Sequence, residues 1–255
     1  LVELKSDKDV EAMRKAGRVV AEALAAVQRA AAVGVSLREL DDAARAVLDG
    51  AGAGSPFLDY QPAWAPRPFP GVICTSVNDA VVHGIPTDYR LRDGDLVGVD
   101  CGAEVDGWTG DAAVTFPVGN VRPADLDLLD AGRRALESGI AAAVEGNRIG
   151  DISDAIEKSV RGSGCGIPEG LGGHGIGRSM HEAPDVPNAG RPGRGYRLRP
   201  GLVLALEPML AAGGDDEHVT SGDGWTVHTA DGTRAVHFEH TVAITSAGPR
   251  ILTLP

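Results

Sequence analysis

The chain has 255 residues, 43% of them apolar and 24% charged, which suits one large soluble domain or two small ones with a sizeable core. A formal charge of −12 argues against DNA or RNA as the main ligand. Three cysteines without paired spacing, Cys74, Cys101 and Cys165, argue against a disulfide framework and for a reducing compartment. The N-terminus has no apolar signal-peptide core and no run approaches a membrane span of about 18 residues, so a cytoplasmic protein is expected.

Residues 7–33 carry apolar side chains at helical spacing and end at Gly34. A second helix is expected over 36–49, opened by Ser36 with Glu39 three residues on, a capping-box pattern, and stopped by Gly50, Gly52 and Gly54. Residues 55–71 hold five prolines and several aromatic rings; this reads as a loop and a candidate pocket wall. Strand-like runs follow in GVICTSVND, AVVHGIP, DLVGVDCGAEV and WTGDAAVTF, the last two joined by a hairpin turn at Asp106-Gly107. Pro123 opens a third helix, IGDISDAIEKSVRGSG forms a fourth, and Gly-rich loops and strands fill the rest. Arg191, Arg194, Arg197 and Arg199 make one basic stretch, a solvated loop or, alternatively, a contact with an anionic partner.

The chain repeats itself once. LRDGDLVGVD (91–100) aligns with LRPGLVLALE (198–207), residues 35–52 resemble 148–164, and Asp111 in DAAVTF resembles Glu239 in EHTVAI. A duplicated α+β domain follows, its helix–helix–strand halves related by a pseudo-two-fold axis, with a site between them. Asp100 then pairs with Glu207, and Asp111 with Glu239.

Counting back from the Asp106-Gly107 turn sets Gly102 opposite Asp111 and Asp100 opposite Ala113. Asp100 and Asp111 therefore lie on one face as diagonal neighbours, roughly 7–8 Å apart. Each acid sits in or ends an apolar run that contains no Lys or Arg, where an isolated carboxylate is costly; a metal supplies the counter-charge. Four carboxylates balance two divalent cations. His174, set among glycines in GLGGHGIGRSMHEAP, is the candidate imidazole ligand. The literal G-x-G-x-x-G in that segment lacks a strand-to-helix setting and a ribose-binding acid, so a dinucleotide site is rejected. Oxygen and imidazole donors without thiolate suit Mn²⁺, Fe²⁺, Co²⁺ or Zn²⁺. His218, His228 and His237 are expected at the surface, and His240 behind the ligand Glu239.

From about Asp7 to Leu254 the sequence resembles the type I methionine aminopeptidases of the pita-bread fold. The motifs are VVHGIP, VDCG with TGDAAVTF, GHGIGRSMHEAP, LALEPM and FEHTVAIT, in order and at matching spacing. The resemblance implies an α+β pita-bread fold with a central antiparallel sheet, a single catalytic domain over 1–255 and two metal ions. It implies that Asp100 chelates one metal, that Asp111 and Glu239 bridge both, and that His174 and Glu207 complete the other. Glu207 is similar to the residue that acts as general base, and His83 and His181 to those that hydrogen-bond the scissile peptide. Tyr60, Phe69, Cys74, Met180 and Trp225 match the methionine pocket. The implied partner is the N-terminal peptide of nascent proteins, met by a monomer in transient contact with the ribosome. The link at 61–71 is longer than usual in this family, and Met180 stands where an aromatic is common; both bear on pocket shape. A proline-specific peptidase shares the fold and ligands but usually carries an extra N-terminal domain. A non-catalytic binding protein on this fold would be expected to lose ligands, and none is lost.

Overall fold

The computed structural model describes residues 2–255. Helix α1 (Asp7–Ala30) starts at Ser6, whose hydroxyl accepts the Asp9 N–H while the Asp9 carboxylate accepts the Ser6 N–H. It ends three residues before the expected 33, where Ala31 turns to an extended conformation while its N–H still bonds the Val27 carbonyl. Helix α2 (Leu37–Gly50) has the expected Ser36–Glu39 box. Residues 55–71 form no helix or strand. Strands β1 (Ile73–Val77), β2 (Ala80–Val82), β3 (Leu96–Val105) and β4 (Trp108–Pro117) follow. Asp106 and Gly107 both take positive φ, 52° and 72°, as a two-residue hairpin turn requires.

The second half repeats this plan with α3 (Pro123–Ala142), α4 (Ile149–Gly162), β5 (Gly172–Gly175), β6 (Glu182–Pro187), β7 (Val203–Leu206), β8 (Met209–Ala211), β9 (His218–Thr220), β10 (Val227–Thr229), β11 (Ala235–His237), β12 (His240–Thr245) and β13 (Gly248–Ile251). Isolated backbone bridges mark the duplication. Ser36–Arg90 recurs as Arg148–Arg197, and Gly54–Glu104 recurs as Gly166–Ala211. Each half has its own core. Val20, Leu40, Ile73 and Val99 belong to the first, and Leu129, Ile152, Leu204 and Val242 to the second. Each such side chain contributes about 1.5–3 kcal/mol by burial. Helix α1 crosses β4 at Gly17 and Gly110, where a Cβ on Gly110 would lie 2.9 Å from the Gly17 nitrogen; glycine permits that approach, one residue from Asp111.

The expected central sheet is divided. One part has strand order β1-β3-β4 and the other β13-β12-β7-β5-β6. Between β4 and the β11–β12 segment the only backbone pairing is Ala113 with Glu239. On either side a threonine hydroxyl intervenes. Thr115 Oγ1 donates to the His237 carbonyl and accepts its N–H, and Thr241 Oγ1 does the same for Asp111. The strands are thus spread by a side chain's width at the middle of the molecule.

Candidate metal centre

Strand register brings the acids together. Asp100 lies opposite Ala113 and Gly102 opposite Asp111, as the hairpin count requires, and no bulge interrupts the ladder. In the second half the ladder runs from Val203–Ala243 to Leu206–His240, breaks, and resumes in the same register from Met209–His237 to Ala211–Ala235. The Phe238 N–H bonds the Pro208 carbonyl at 3.2 Å within the break, so Glu207 and Glu239 face each other. Pro208 has no N–H to give the ladder, which accounts for the break where the two glutamates turn inward.

This register corrects one sequence pairing. Asp100 and Glu207 are equivalent, as expected. Ala113, not Asp111, is the counterpart of Glu239, because Asp100 faces Ala113 as Glu207 faces Glu239. The counterpart of Asp111 is His237: Gly102 faces Asp111 as Met209 faces His237, and the two threonine hydroxyls bracket those two residues. The match of DAAVTF to EHTVAI slid by two residues, a shift that keeps every side chain on the same face of a strand.

His174, on β5 beside Ala205 of β7, is buried. Its Nδ1 lies 2.8 Å from the Gly175 carbonyl, which can only accept, so Nδ1 carries the proton and Nε2 is left as a lone pair. That Nε2 is 3.4 Å from Glu207 Oε1 and 4.0 Å from Asp111 Oδ2. His237 corrects a second expectation: it is not a surface residue but 3% exposed, with Nε2 3.3 Å from Glu207 Oε2 and 3.8 Å from Glu239 Oε2. Its signal was available in the sequence, since residues two apart on a strand share a face and Glu239 is two residues on. His218 and His228 are half-buried rather than exposed. His218 Nε2 lies 2.8 Å from the Glu169 carbonyl, and His228 Nδ1 lies 3.3 Å from Asp79. His240, next to Glu239, is held by Thr253 at 2.8 Å and stays behind the cluster.

The donors fit a cation. Asp100 Oδ1, Asp111 Oδ1, His237 Nε2 and both Glu239 oxygens are buried without a hydrogen-bond partner. Native interiors leave few such atoms, and here they converge. Burial raises Asp111 and Glu239 well above the ordinary carboxylate range, Glu207 to about 8 and Asp100 to about 6, while burial lowers His174 to about 4. No lysine or arginine lines the cavity among the described residues. Four carboxylates in so small a volume need positive charge to ionise together. Asp100, His237 and Glu239 form one group with metal-ligand spacing, and Asp111, His174 and Glu239 another.

The description of metallopeptidase family M24 matches residues 11–246. The chain belongs to that family. Among its M24 relatives, methionine aminopeptidase 1 of Mycobacterium tuberculosis is 51% identical, over the whole of this chain and 96% of that one. The crystal structure of a Thermotoga maritima methionine aminopeptidase superposes with a TM-score of 0.95 at 38% identity, each chain covered completely. The pita-bread α+β fold is therefore established. A Pyrococcus furiosus prolidase shares that fold at a TM-score of 0.78 and 21% identity, with 99% of this chain covering 65% of that longer one. No helix among the described residues is long and apolar enough to cross a membrane.

In this M24 chain the acids open onto a cavity of about 500 Å³ whose apolar end is lined by Tyr60, Phe69, Cys74, Met180 and Trp225, all five expected. Cys74 is there because β1 pairs it with Asp100. Burial and the neighbouring acids raise its thiol well above the ordinary range, so it packs as an apolar group. Phe57 and Trp64, not named individually but part of the 55–71 loop expected as a pocket wall, join the lining. The long loop tucks Ala65 under the pocket and lays the Trp64 indole across Trp225 and His83, ring centroids 5.0 and 6.2 Å away.

His83 and His181 flank the cluster. His83 follows β2 with φ 60°, a left-handed conformation that costs a non-glycine residue about 1–2 kcal/mol, and burial lowers its pKa to about 4. Burial lowers His181 too, and its ring sits 4.3 Å from that of His174. The segment carrying His181 is clamped from two sides. The Lys5 ammonium meets Glu182 at 2.5 Å, and the Arg178 guanidinium lies 3.8 Å over the Trp108 ring while donating to the Asp106 and Gly107 carbonyls.

Proposed function

We propose that this chain is a metal-dependent methionine aminopeptidase, removing the initiator methionine from nascent proteins whose second residue is small. One observation carries the reading: a cavity walled at one end by the apolar cluster of Phe69, Cys74, Met180 and Trp225 opens at the other on the carboxylate–imidazole cluster. The names of its full-length relatives support it.

Asp100, Asp111, His174, Glu207 and Glu239 would hold two divalent cations, of Co²⁺, Mn²⁺, Fe²⁺ or Zn²⁺. Bound there, such a pair supplies Lewis acidity and lowers the pKa of a water towards neutrality. The chain's own groups do the rest. Glu207 takes the proton of the attacking water and passes it to the leaving amine. His83 and His181 stay neutral at physiological pH and donate hydrogen bonds to the scissile peptide, strengthening as its oxygen gains charge. Tyr60, Phe69, Cys74, Met180 and Trp225 receive the methionine side chain and exclude water. The chain works as one catalytic domain and as a monomer in the cytoplasm. Any transient ribosome contact falls to Arg191, Arg194, Arg197 and Arg199, which are exposed.

Metal-loaded protein is expected to release methionine from Met-Ala-Ser, and a chelator to stop it. Cleavage of an Ala-Pro peptide, with no methionine released under any of the four metals, would replace this reading with a proline-specific one.

A further inference from the structure

The cluster contains one imidazole beyond the five expected ligands. We propose that His237 directly ligates the cation held by Asp100, so that each of the two metal positions carries its own histidine. This rests on the dinuclear reading above and adds a donor to it.

Three observations converge. Asp100, His237 and Glu239 can each bring one donor atom within 4.8 Å of the others, and Asp111, His174 and Glu239 do likewise. The two sets share Glu239 and otherwise match, an aspartate and a histidine apiece. Next, His237 Nε2 is buried and makes no hydrogen bond, although it faces Glu207 Oε2 at 3.3 Å and Glu239 Oε2 at 3.8 Å. A buried nitrogen left so is costly, and coordination removes the cost. Finally, the ring is anchored: Thr115 Oγ1 takes both the N–H and the carbonyl of His237, at 2.9 and 3.0 Å, and fixes the backbone from which the imidazole projects.

The duplication supplies the reason for this placement. His237 stands in the second half where Asp111 stands in the first, each bracketed by a threonine hydroxyl from the facing strand. The pseudo-two-fold axis thus puts a donor at both equivalent positions. His240 and His174 do not compete for this place, since His240 is engaged by Thr253 and His174 belongs to the opposite set, and neither His83 nor His181 falls in a group with metal-ligand spacing. A nitrogen donor in place of an all-oxygen set favours Zn²⁺ over Mn²⁺ at the Asp100 position.

The test uses the full chain loaded with two equivalents of Co²⁺. In proton NMR each ligated imidazole gives a strongly shifted, exchangeable ring N–H signal. Two are expected in the wild type, one in His237→Gln and the other one in His174→Gln. Calorimetric titration of metal-free protein should show that His237→Gln weakens one of two Zn²⁺ sites by tenfold or more, weakens Mn²⁺ less, and leaves the other site unchanged. A single shifted imidazole in wild-type protein holding two Co²⁺ overturns the assignment without recourse to any variant. Unchanged Zn²⁺ affinities in a folded His237→Gln overturn it equally. Wild type that binds fewer than two cations overturns the dinuclear reading itself, and this assignment with it.

Discussion

The hydroxyl of Thr241 donates to the backbone carbonyl of Asp111 at 2.7 Å and accepts the Asp111 N–H at 3.0 Å. A side chain therefore satisfies the backbone of a candidate ligand where a neighbouring strand would normally do so. Thr241 has no solvent exposure, so water cannot replace it. Thr241→Val keeps the volume and removes both bonds. It is expected to cost about 1–3 kcal/mol for each backbone group left unpaired. Urea unfolding of the metal-free protein measures this, and an unmoved midpoint would mean that the backbone finds other partners.

The raised carboxyl groups make the stability of the metal-free protein fall with pH. Burial lifts Glu207 from 4.5 to about 8 and Asp100 from 3.8 to about 6, and lifts Asp111 and Glu239 well above their ordinary values. The native state keeps protons that the unfolded chain has released, so the unfolded state binds fewer and stability declines as pH rises. The contribution is fully present below the unfolded values near 4 and is lost as pH passes the folded values, between about 6 and 8 for the two groups with stated values. Melting of chelated protein is expected at a lower temperature at pH 8.5 than at pH 7, a range above the unfolded histidine value of 6.5, where the lowered imidazoles are neutral in both states and only the carboxyl groups act. Divalent metal should reverse that trend, because it supplies the charge that lets the acids ionise. A melting temperature that rises over this range without metal would contradict it.

Most of this site could be read from the sequence because its parts are local. The Asp106-Gly107 turn fixes the register of β3 and β4, and that register alone puts Asp100 and Asp111 on one face. Ser36 and Pro123 mark helix starts by chemistry that does not depend on the rest of the fold. What could not be read depends on long-range pairing. That His237 shares a face with Glu239 was legible from their spacing, but that this face is buried depends on β4 packing over it through Thr115, and Trp64 in a proline-rich loop carries no periodicity to say which way it faces. The two-residue slip between Asp111 and Glu239 has the same origin, since motif similarity in a strand is blind to shifts that preserve the face.

His181 is held at the cluster by contacts that do not involve the acids: Lys5 on Glu182, and Arg178 on Trp108. His181→Ala should therefore leave metal content unchanged, and lower turnover of Met-Ala-Ser by about 100-fold, the usual loss when one donor to a developing oxyanion is removed. Metal analysis beside steady-state kinetics separates the cases. Loss of a cation would make His181 a ligand rather than a substrate-contacting group.

Trp64 is 61% exposed, yet its indole stacks against His83 and meets Trp225 edge-on at the mouth of the cavity. A large apolar ring left so open on a loop is costly unless something packs on it, and the loop is fixed rather than slack. Phe69 N–H bonds the Tyr60 carbonyl at 2.9 Å, and the Trp225 ring N–H bonds the Arg67 carbonyl at 3.0 Å. The indole is thus a built part of the pocket wall. Trp64→Ala should lower kcat/KM for Met-Ala-Ser by about 2- to 13-fold, the equivalent of the roughly 0.5–1.5 kcal/mol that an aromatic pair contributes beyond its area. The loss should appear in KM with kcat within about twofold, because packing against substrate is felt equally in the ground and transition states. Trp64→Phe should recover most of it. An equal fall in kcat, unrecovered by phenylalanine, would instead make Trp64 a support for His83, whose ring it stacks against.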